Sequence, residues 1–217
     1  LKVSLYDALI GAVEPSKSVK KTKFKNLDLI PSSMKLAGIE IEFVDKQHSD
    51  PTFSKGSQLK RVLYEIRDNY DYILIDCPPS LGLVTLNAFT ASDSVLIPVQ
   101  CEYFALEGLG QLLNTTKLIK GVNPSLTIGG IVLTMYDSRT KLSENVVNDV
   151  KEFFKDAAFK SIVPRNVRLS EAPSHGKPIH IYDKDNLLKD KESPTDRGLD
   201  IFNRLYIEYK FKYKGEW

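Results

Sequence analysis

Short, mostly apolar runs that do not alternate with polar residues are the feature that most constrains this chain. Two of them are YILI (72–75) and SVLIPV (94–99). Runs of this kind predict strands that are covered on both faces, as in parallel sheets. Between such runs lie segments with the spacing of an amphipathic helix, as in the segment 58–69. Strands that alternate with helices predict an α/β fold, a three-layer sandwich around a mainly parallel sheet.

The same patterns set the expected order of elements within one domain that spans residues 1–217. A polar insert at 184–196 precedes a last helix, which carries apolar residues from 199 to 209. The expected helices lie at 1–13, 34–44, 58–69, 83–91, 104–120 and 142–154, and the expected strands at 26–33, 70–76, 94–100, 126–136, 159–164 and 177–183.

Composition excludes several classes of protein. The net charge of +2 is too small to indicate a nucleic-acid binder by itself. No apolar run approaches the roughly 18 residues that a membrane span needs. Cys77 and Cys101 are isolated, which argues against a zinc site or a disulfide framework and favours a reducing, cytoplasmic environment.

Ligands of open α/β sheets bind beyond the carboxyl ends of the strands, so the residues at those ends are the candidates for a site. Asp76 directly follows the apolar run 72–75. This pattern is typical of a Walker B acid, whose carboxylate holds Mg²⁺. The alternative is that the aspartate only serves the turn, as aspartates often do. The other expected strand ends carry Gln100, Glu102 and Tyr103, then Thr134, Tyr136, Asp137 and Arg139, and then Pro164, Arg165, Asn166 and Arg168.

Three long stretches resemble one known family. They are YDYILIDCPPSLGLVTLNAFTASDSVLIPVQCEYFALEGL, GGIVLTMYDSRTKLSENVVNDVKEFF and VPRNVRLSEAPSHGKPI. Together they resemble the ParA/Soj proteins, the deviant Walker A ATPases of chromosome and plasmid partition in the MinD/ParA superfamily. The resemblance implies a P-loop NTPase-like fold, with ATP and Mg²⁺ as cofactors and a homodimer that forms on ATP binding. It also implies non-specific binding to double-stranded DNA, hydrolysis stimulated by a ParB-type protein, and a nucleoid-associated place in the cytoplasm.

The resemblance also assigns roles to the residues at the strand ends. Arg139 and Arg168 match positions that grip DNA in the family, although solvated arginines are the plainer interpretation. By the same resemblance, Pro164, Asn166 and Thr134 lie near the adenine base; for Pro164 and Asn166, the alternative is that they only form a turn. The resemblance also implies that Asp76 holds Mg²⁺. It places Glu102 and Tyr103 in the switch and dimer region.

One part of the family pattern does not occur in this sequence. The family's phosphate loop has the form KGGVGKT, and its second acidic motif has the form DxDPQ. Neither motif is present, and no G-x-x-x-x-G-K-[ST] occurs among the 217 residues. We therefore expect a copy truncated at its N-terminus, without the first strand, the phosphate loop or ATPase activity of its own.

Two other functions stay open from the sequence. One is a non-enzymatic remnant that retains DNA-binding or dimer contacts. The other is a MinD-like regulator that attaches to a membrane through the C-terminal stretch IFNRLYIEYKFKYKGEW. Membrane attachment is disfavoured, because YKFKYK has the period of a strand and not that of an interfacial helix.

Overall fold

The computed structural model describes residues 3–78, 80 and 82–183. The chain divides into two compact units. The first unit comprises residues 1–93 and 115–126, and the second comprises 94–114 and 127–217. The expectation of a single domain over 1–217 stays a prediction.

The first unit is mainly helical. Its only sheet in the described residues is a two-stranded antiparallel hairpin, in which Lys20 pairs with Leu29 and Lys21 with Asp28. Short 3₁₀ turns at Met34–Gly38 and Arg67–Asn69 complete it. In chain order, its elements are α1 (Leu5–Leu9), α2 (Pro15–Ser18), β1 (Lys20–Lys21), β2 (Asp28–Leu29), α3 (Ile39–Ser49), α4 (Gln58–Tyr64) and α5 (Leu83–Ala91).

The core of the first unit forms where apolar faces of α1, α3, α4 and α5 meet. Phe43 is 1% exposed, and its ring packs edge-on against Phe53 with the centroids 5.3 Å apart. The buried side chain of Asn87 accepts a hydrogen bond from the backbone N–H of Leu59 and donates one to the carbonyl of Lys55. This amide therefore satisfies backbone groups of α4 and of the loop before it.

The second unit contains the parallel sheet. In chain order, its elements are β3 (Ser94–Gln100), α6 (Ala105–Ile119, whose last residues fall in the first unit), β4 (Thr127–Tyr136), α7 (Lys141–Phe154), β5 (Ala158–Pro164), α8 (Val167–Glu171) and α9 (Ile179–Tyr182). The strand order is β3-β4-β5, and both pairings are parallel. The predicted α/β class with a parallel sheet is therefore confirmed.

Helices cover both faces of this sheet. Ile131 and Leu133 of β4 face one side and pack with residues of α6 and α7, such as Leu109 and Val150. Val132, which lies between them on the strand, packs on the other side with residues that include Leu169 of α8. Successive side chains of a strand point to opposite faces, so a strand covered on both sides must be apolar throughout. The central part of β4 has this composition.

Gly130, one of two adjacent glycines in β4, allows a close contact with β5. The ladder between β3 and β4 shifts register at Val95/Leu96, opposite Gly129 and Gly130. A Cβ at Gly130 would lie 2.2 Å from a ring carbon of Phe159, a side chain that is only 1% exposed. Only glycine leaves room for this ring on the strand.

The strand predicted at 70–76 is wrong. Residues 71–78 belong to no strand, and the side chains of Tyr72 and Leu74 are 58% and 93% exposed. An apolar run becomes a strand only when a neighbour completes its backbone hydrogen bonds, and no strand among the described residues pairs with this one.

The strand predicted at 177–183 is also wrong, because this segment forms α9. The carbonyl of Pro178 accepts hydrogen bonds from the N–H groups of Ile181 and Tyr182, at 3.0 and 2.9 Å. The ring of Tyr182 stacks on that of His175, with the centroids 4.8 Å apart. A proline just before a helix fits there, because it needs no N–H partner.

Smaller differences concern the N-terminal elements. The strand predicted at 26–33 is reduced to Asp28–Leu29, and the helix predicted at 34–44 begins as a 3₁₀ turn and continues to Ser49. The polar insert at 184–196, the last helix and the C-terminal stretch lie outside the described residues. None of the helices in the described part of the chain has the length and apolarity needed to cross a membrane.

The contact between Gly130 and Phe159 can be tested by substitution. We expect Gly130→Ala to lower the free energy of unfolding by about 1–3 kcal/mol, the usual cost of overpacking a core. Gly110→Ala is the matched control, since a Cβ there meets no atom within 4 Å. In helix α6 the control should raise stability by roughly 0.5–1 kcal/mol. Urea unfolding followed by circular dichroism measures both, and equal midpoints for the two variants would contradict the packing.

Candidate functional site

The three parallel strands of the second unit end at one edge of the sheet, and the loops that follow them carry the predicted site residues of this unit. Thr134 lies near the end of β4 and is half-buried. Its hydroxyl donates to the carbonyl of Val99 at 3.3 Å, and its own carbonyl accepts from the N–H of Cys101 at 2.9 Å. The following residue, Met135, has a φ of +55°. Such backbone is costly for a non-glycine residue and is concentrated at functional sites.

Pro164 and Asn166 mark the end of β5. Pro164 pairs with Tyr136 in the ladder, and the N–H of Arg165 donates to the carbonyl of Tyr136 at 2.8 Å. Asn166 is the N-cap of α8, where its side-chain oxygen accepts from the N–H of Arg168 at 2.8 Å. The amide of Asn166 thus has a structural task, and the predicted contact of Pro164, Asn166 and Thr134 with adenine stays a prediction.

Arg139 is held by a neighbouring carboxylate. Its Nε lies 2.9 Å from Oδ1 of Asp137, and its Nη2 lies 2.6 Å from Oδ2. These two hydrogen bonds, a further bond from the Arg139 N–H and the positive charge hold the pKa of Asp137 well below its ordinary value of 3.8. The guanidinium itself is 84% exposed, so the side chain can also reach other partners.

Arg168 also pairs with an acid on its own segment. Its Nη1 lies 3.3 Å from Oε2 of Glu171. The hydroxyl of Tyr182 donates to the same carboxylate oxygen at 3.1 Å. This network joins α8 to α9 and fixes the position of Glu171, while the guanidinium stays half exposed.

A third pair joins the loops after β3 and β5. Nη2 of Arg165 lies 2.8 Å from Oε1 of Glu102. The sequence places Arg165 at a strand end but does not predict this pair, because the pair depends on contact between residues 63 positions apart. The two residues after Glu102 are aromatic and exposed: Tyr103 and Phe104 pack edge-on, with their centroids 5.1 Å apart.

Asp76 belongs to the first unit and is exposed to solvent. The pKa of the neighbouring Cys77 thiol is raised by burial and, to a lesser extent, by the negative charge of Asp76. Within the described residues, no group of three or more His, Cys, Asp or Glu side chains could hold a metal ion. The role of Asp76 as a magnesium ligand therefore stays a prediction.

Comparison with known proteins identifies the family. A family model described as an AAA domain matches residues 1–128. The sporulation initiation inhibitor protein Soj of Bacillus subtilis (strain 168) is 52% identical over 205 residues, which cover 94% of this chain and 75% of that protein. The chromosome-partitioning ATPase Soj of Treponema pallidum (strain Nichols) is 50% identical over 182 residues, which cover 83% and 70%. The chain belongs to the ParA/Soj family.

A solved structure supports the fold that is expected for this chain. The cobyrinic acid a,c-diamide synthase of Mycobacterium smegmatis was crystallised with an ATP analog and magnesium. It superimposes on this chain with a TM-score of 0.76 and 30% sequence identity, covering 100% of this chain and 75% of that one. The P-loop NTPase-like fold expected of a ParA/Soj protein is confirmed.

The pairing of Asp137 with Arg139 predicts a pH response for this ParA/Soj chain. Because the pKa of Asp137 is lowered, the pair contributes stability above the ordinary value of 3.8 and loses it as the pH falls toward the lower, folded-state value. We expect NMR titration of the Asp137 carboxyl carbon to give a midpoint well below 3.8. In Arg139→Ala the midpoint should rise toward the ordinary value. Identical midpoints in the two proteins would contradict the contact.

Proposed function

We propose that this chain is a ParA/Soj-like partition ATPase that, as an intact ATP-bound dimer, binds DNA without sequence preference. A ParB-type partner then stimulates hydrolysis and releases it. The observation that carries the proposal is 50% identity to a chromosome-partitioning ATPase over 83% of the chain. The exposed arginines at the carboxyl edge of the sheet support it as a DNA-binding surface.

The nucleotide is ATP with Mg²⁺. The ATP analog and magnesium bound to the mycobacterial structure support this choice. Thr134, Pro164 and Asn166 contact the adenine end, where the backbone of the sheet edge and the N-cap of α8 hold them in place. Asp76 holds the metal ion, because an exposed carboxylate is a hard oxygen ligand of the kind that Mg²⁺ prefers.

The contact surface of the dimer includes the segment from Glu102 to Phe104. Tyr103 and Phe104 are 76% and 71% exposed, which is unusual for aromatic side chains that no partner covers. Aromatic residues are enriched at protein interfaces, so a second copy of the chain is the expected cover. In the cell, the protein acts in the cytoplasm on the nucleoid.

The 217-residue polypeptide alone should not hydrolyse ATP. No phosphate-loop sequence occurs in it, and such a loop supplies most of the favourable electrostatics for the triphosphate. We expect no phosphate release from Mg-ATP above background, with weak ATP binding by isothermal titration calorimetry. The Treponema pallidum chromosome-partitioning ATPase Soj serves as the positive control.

Two results would revise this proposal. A hydrolysis rate comparable to that of the Treponema protein would contradict the prediction of inactivity. DNA binding without any affinity for ATP would instead favour the second candidate, a non-enzymatic remnant, which is also suggested by the lack of a G-x-x-x-x-G-K-[ST] motif in the sequence.

DNA binding by Arg139 and Arg168 has a direct test. We expect the double variant Arg139→Ala/Arg168→Ala to bind a duplex of arbitrary sequence about tenfold or more weakly at near-physiological salt. The slope of log affinity against log salt should fall by about two, one for each lost phosphate contact. Fluorescence anisotropy of a labelled duplex measures both quantities.

The control variant also removes two positive charges, but from positions away from the strand ends. Lys117→Ala/Lys151→Ala alters two exposed lysines of α6 and α7, which are not at the carboxyl ends of the strands. It should weaken binding only slightly, through net charge. An equal loss in the two double variants would refute a specific role for the arginines.

A further inference from the structure

All arginines that the structure describes in the second unit are paired with a carboxylate. Arg139 pairs with Asp137, Arg165 with Glu102 and Arg168 with Glu171, and the shortest distances are 2.6, 2.8 and 3.3 Å. A guanidinium that binds a carboxylate uses the same N–H groups that would bind a phosphate. Each acid therefore competes with DNA for its arginine.

The pair of Arg165 with Glu102 differs from the other two. The partners of Arg139 and Arg168 lie two and three residues away on the same segment. Glu102 lies 63 residues from Arg165 and follows β3, whereas Arg165 follows β5. Since β4 lies between those strands, this contact passes over the end of β4. Of the three pairs, it is the one that joins two separate loops.

The backbone on both sides of this contact is anchored. The N–H of Arg165 is bound to the carbonyl of Tyr136 at 2.8 Å. Before Glu102, the N–H of Cys101 donates to the carbonyl of Thr134 at 2.9 Å, and the carbonyl of Cys101 accepts from the hydroxyl of Ser143 at 3.1 Å. The side chains of Arg165 and Glu102, which are 51% and 54% exposed, can separate and take other partners without a change in this backbone. Exposed ion pairs of this kind are weak and readily replaced.

We propose that Arg165 is a third DNA-binding arginine and that Glu102 restrains it until the two side chains separate. This inference rests on the proposed DNA-binding function. The exposed aromatic pair Tyr103 and Phe104 directly follows Glu102, so a second copy that covers these rings acts on the same short segment. Glu102 has a second effect on the surface, because its negative charge also repels phosphate.

The experiment compares two glutamate-to-glutamine variants of the 217-residue chain. Glu102→Gln frees Arg165 and removes one negative charge. Glu152→Gln removes the same charge from an exposed position on α7, and Glu152 makes no ion pair within the described residues. Binding of a labelled duplex of arbitrary sequence is followed by anisotropy between about 50 and 200 mM salt.

We expect Glu102→Gln to bind about three- to tenfold more tightly than the unaltered chain, with a salt slope steeper by about one. The control should change affinity by less than about twofold, as a distant single charge does under screening. A Glu102→Ala variant, which also frees Arg165, must show the same gain. Circular dichroism spectra should be unchanged, because both glutamates are exposed.

A double-mutant cycle tests whether the gain comes from Arg165. Arg165→Ala should weaken binding, and Glu102→Gln added to Arg165→Ala should give no further gain. A gain that persists without Arg165, or one that Glu152→Gln reproduces, overturns the inference. If either outcome occurs and the Arg139→Ala/Arg168→Ala variant still loses DNA binding, the proposed function stands without a role for Arg165. Failure of both the unaltered chain and Glu102→Gln to bind DNA at low salt overturns the inference and leaves the proposed function, which concerns the ATP-bound dimer, standing.

Discussion

The parallel ladder of β3, β4 and β5 is the constraint on which the rest of the second unit depends. Its central strand is buried on both faces, with Ile131 and Leu133 fully enclosed. Because all three strands run in the same direction, the loops after Gln100, Tyr136 and Pro164 meet at one edge. Gly130 in β4 supports this arrangement by letting Phe159 approach the strand. Residues far apart in the chain can therefore act on one ligand.

At this edge of the sheet, each arginine is exposed to solvent and is also paired with a carboxylate. Arginine stays charged at every physiological pH, so protonation cannot control its contacts with phosphate. A neighbouring carboxylate can do so, because it competes for the same N–H groups. Asp137 lies two residues before Arg139, and Glu171 lies three residues after Arg168, so each acid mainly orients the arginine beside it. Glu102 acts from another loop, so its hold on Arg165 depends on how the strand ends are arranged.

Much of the second unit could be predicted from the sequence. The strand at 94–100 has the predicted boundaries, and α6, β4, α7 and β5 begin within one residue of expectation. Strong periodicity explains this success, since each segment buries a face that its own spacing defines. The family could be recognised because long stretches, and not single motifs, carry the resemblance. The positions of Thr134, Asn166, Arg139 and Arg168 at strand ends followed from the same reasoning.

Two of the features that the sequence did not predict depend on contacts with other parts of the chain, and one depends on a proline. The apolar run 72–75 has the composition of a buried strand, but a strand also needs a neighbour for its backbone. The segment 177–183 became a helix because Pro178 and the stacking of Tyr182 on His175 outweigh the β-propensity of its isoleucines. The pair of Glu102 with Arg165 depends on contact between two loops, which periodicity within a segment does not encode.

The exposed apolar side chains of segment 71–78 have a practical consequence for handling the protein. Leu74 is 93% exposed and Tyr72 is 58% exposed, on a backbone whose hydrogen-bonding groups belong to no ladder. Exposed apolar segments whose backbone groups are unpaired can associate between copies of a chain. Concentrated preparations should therefore self-associate through this segment, and a lysine in place of Leu74 would keep the polypeptide dispersed.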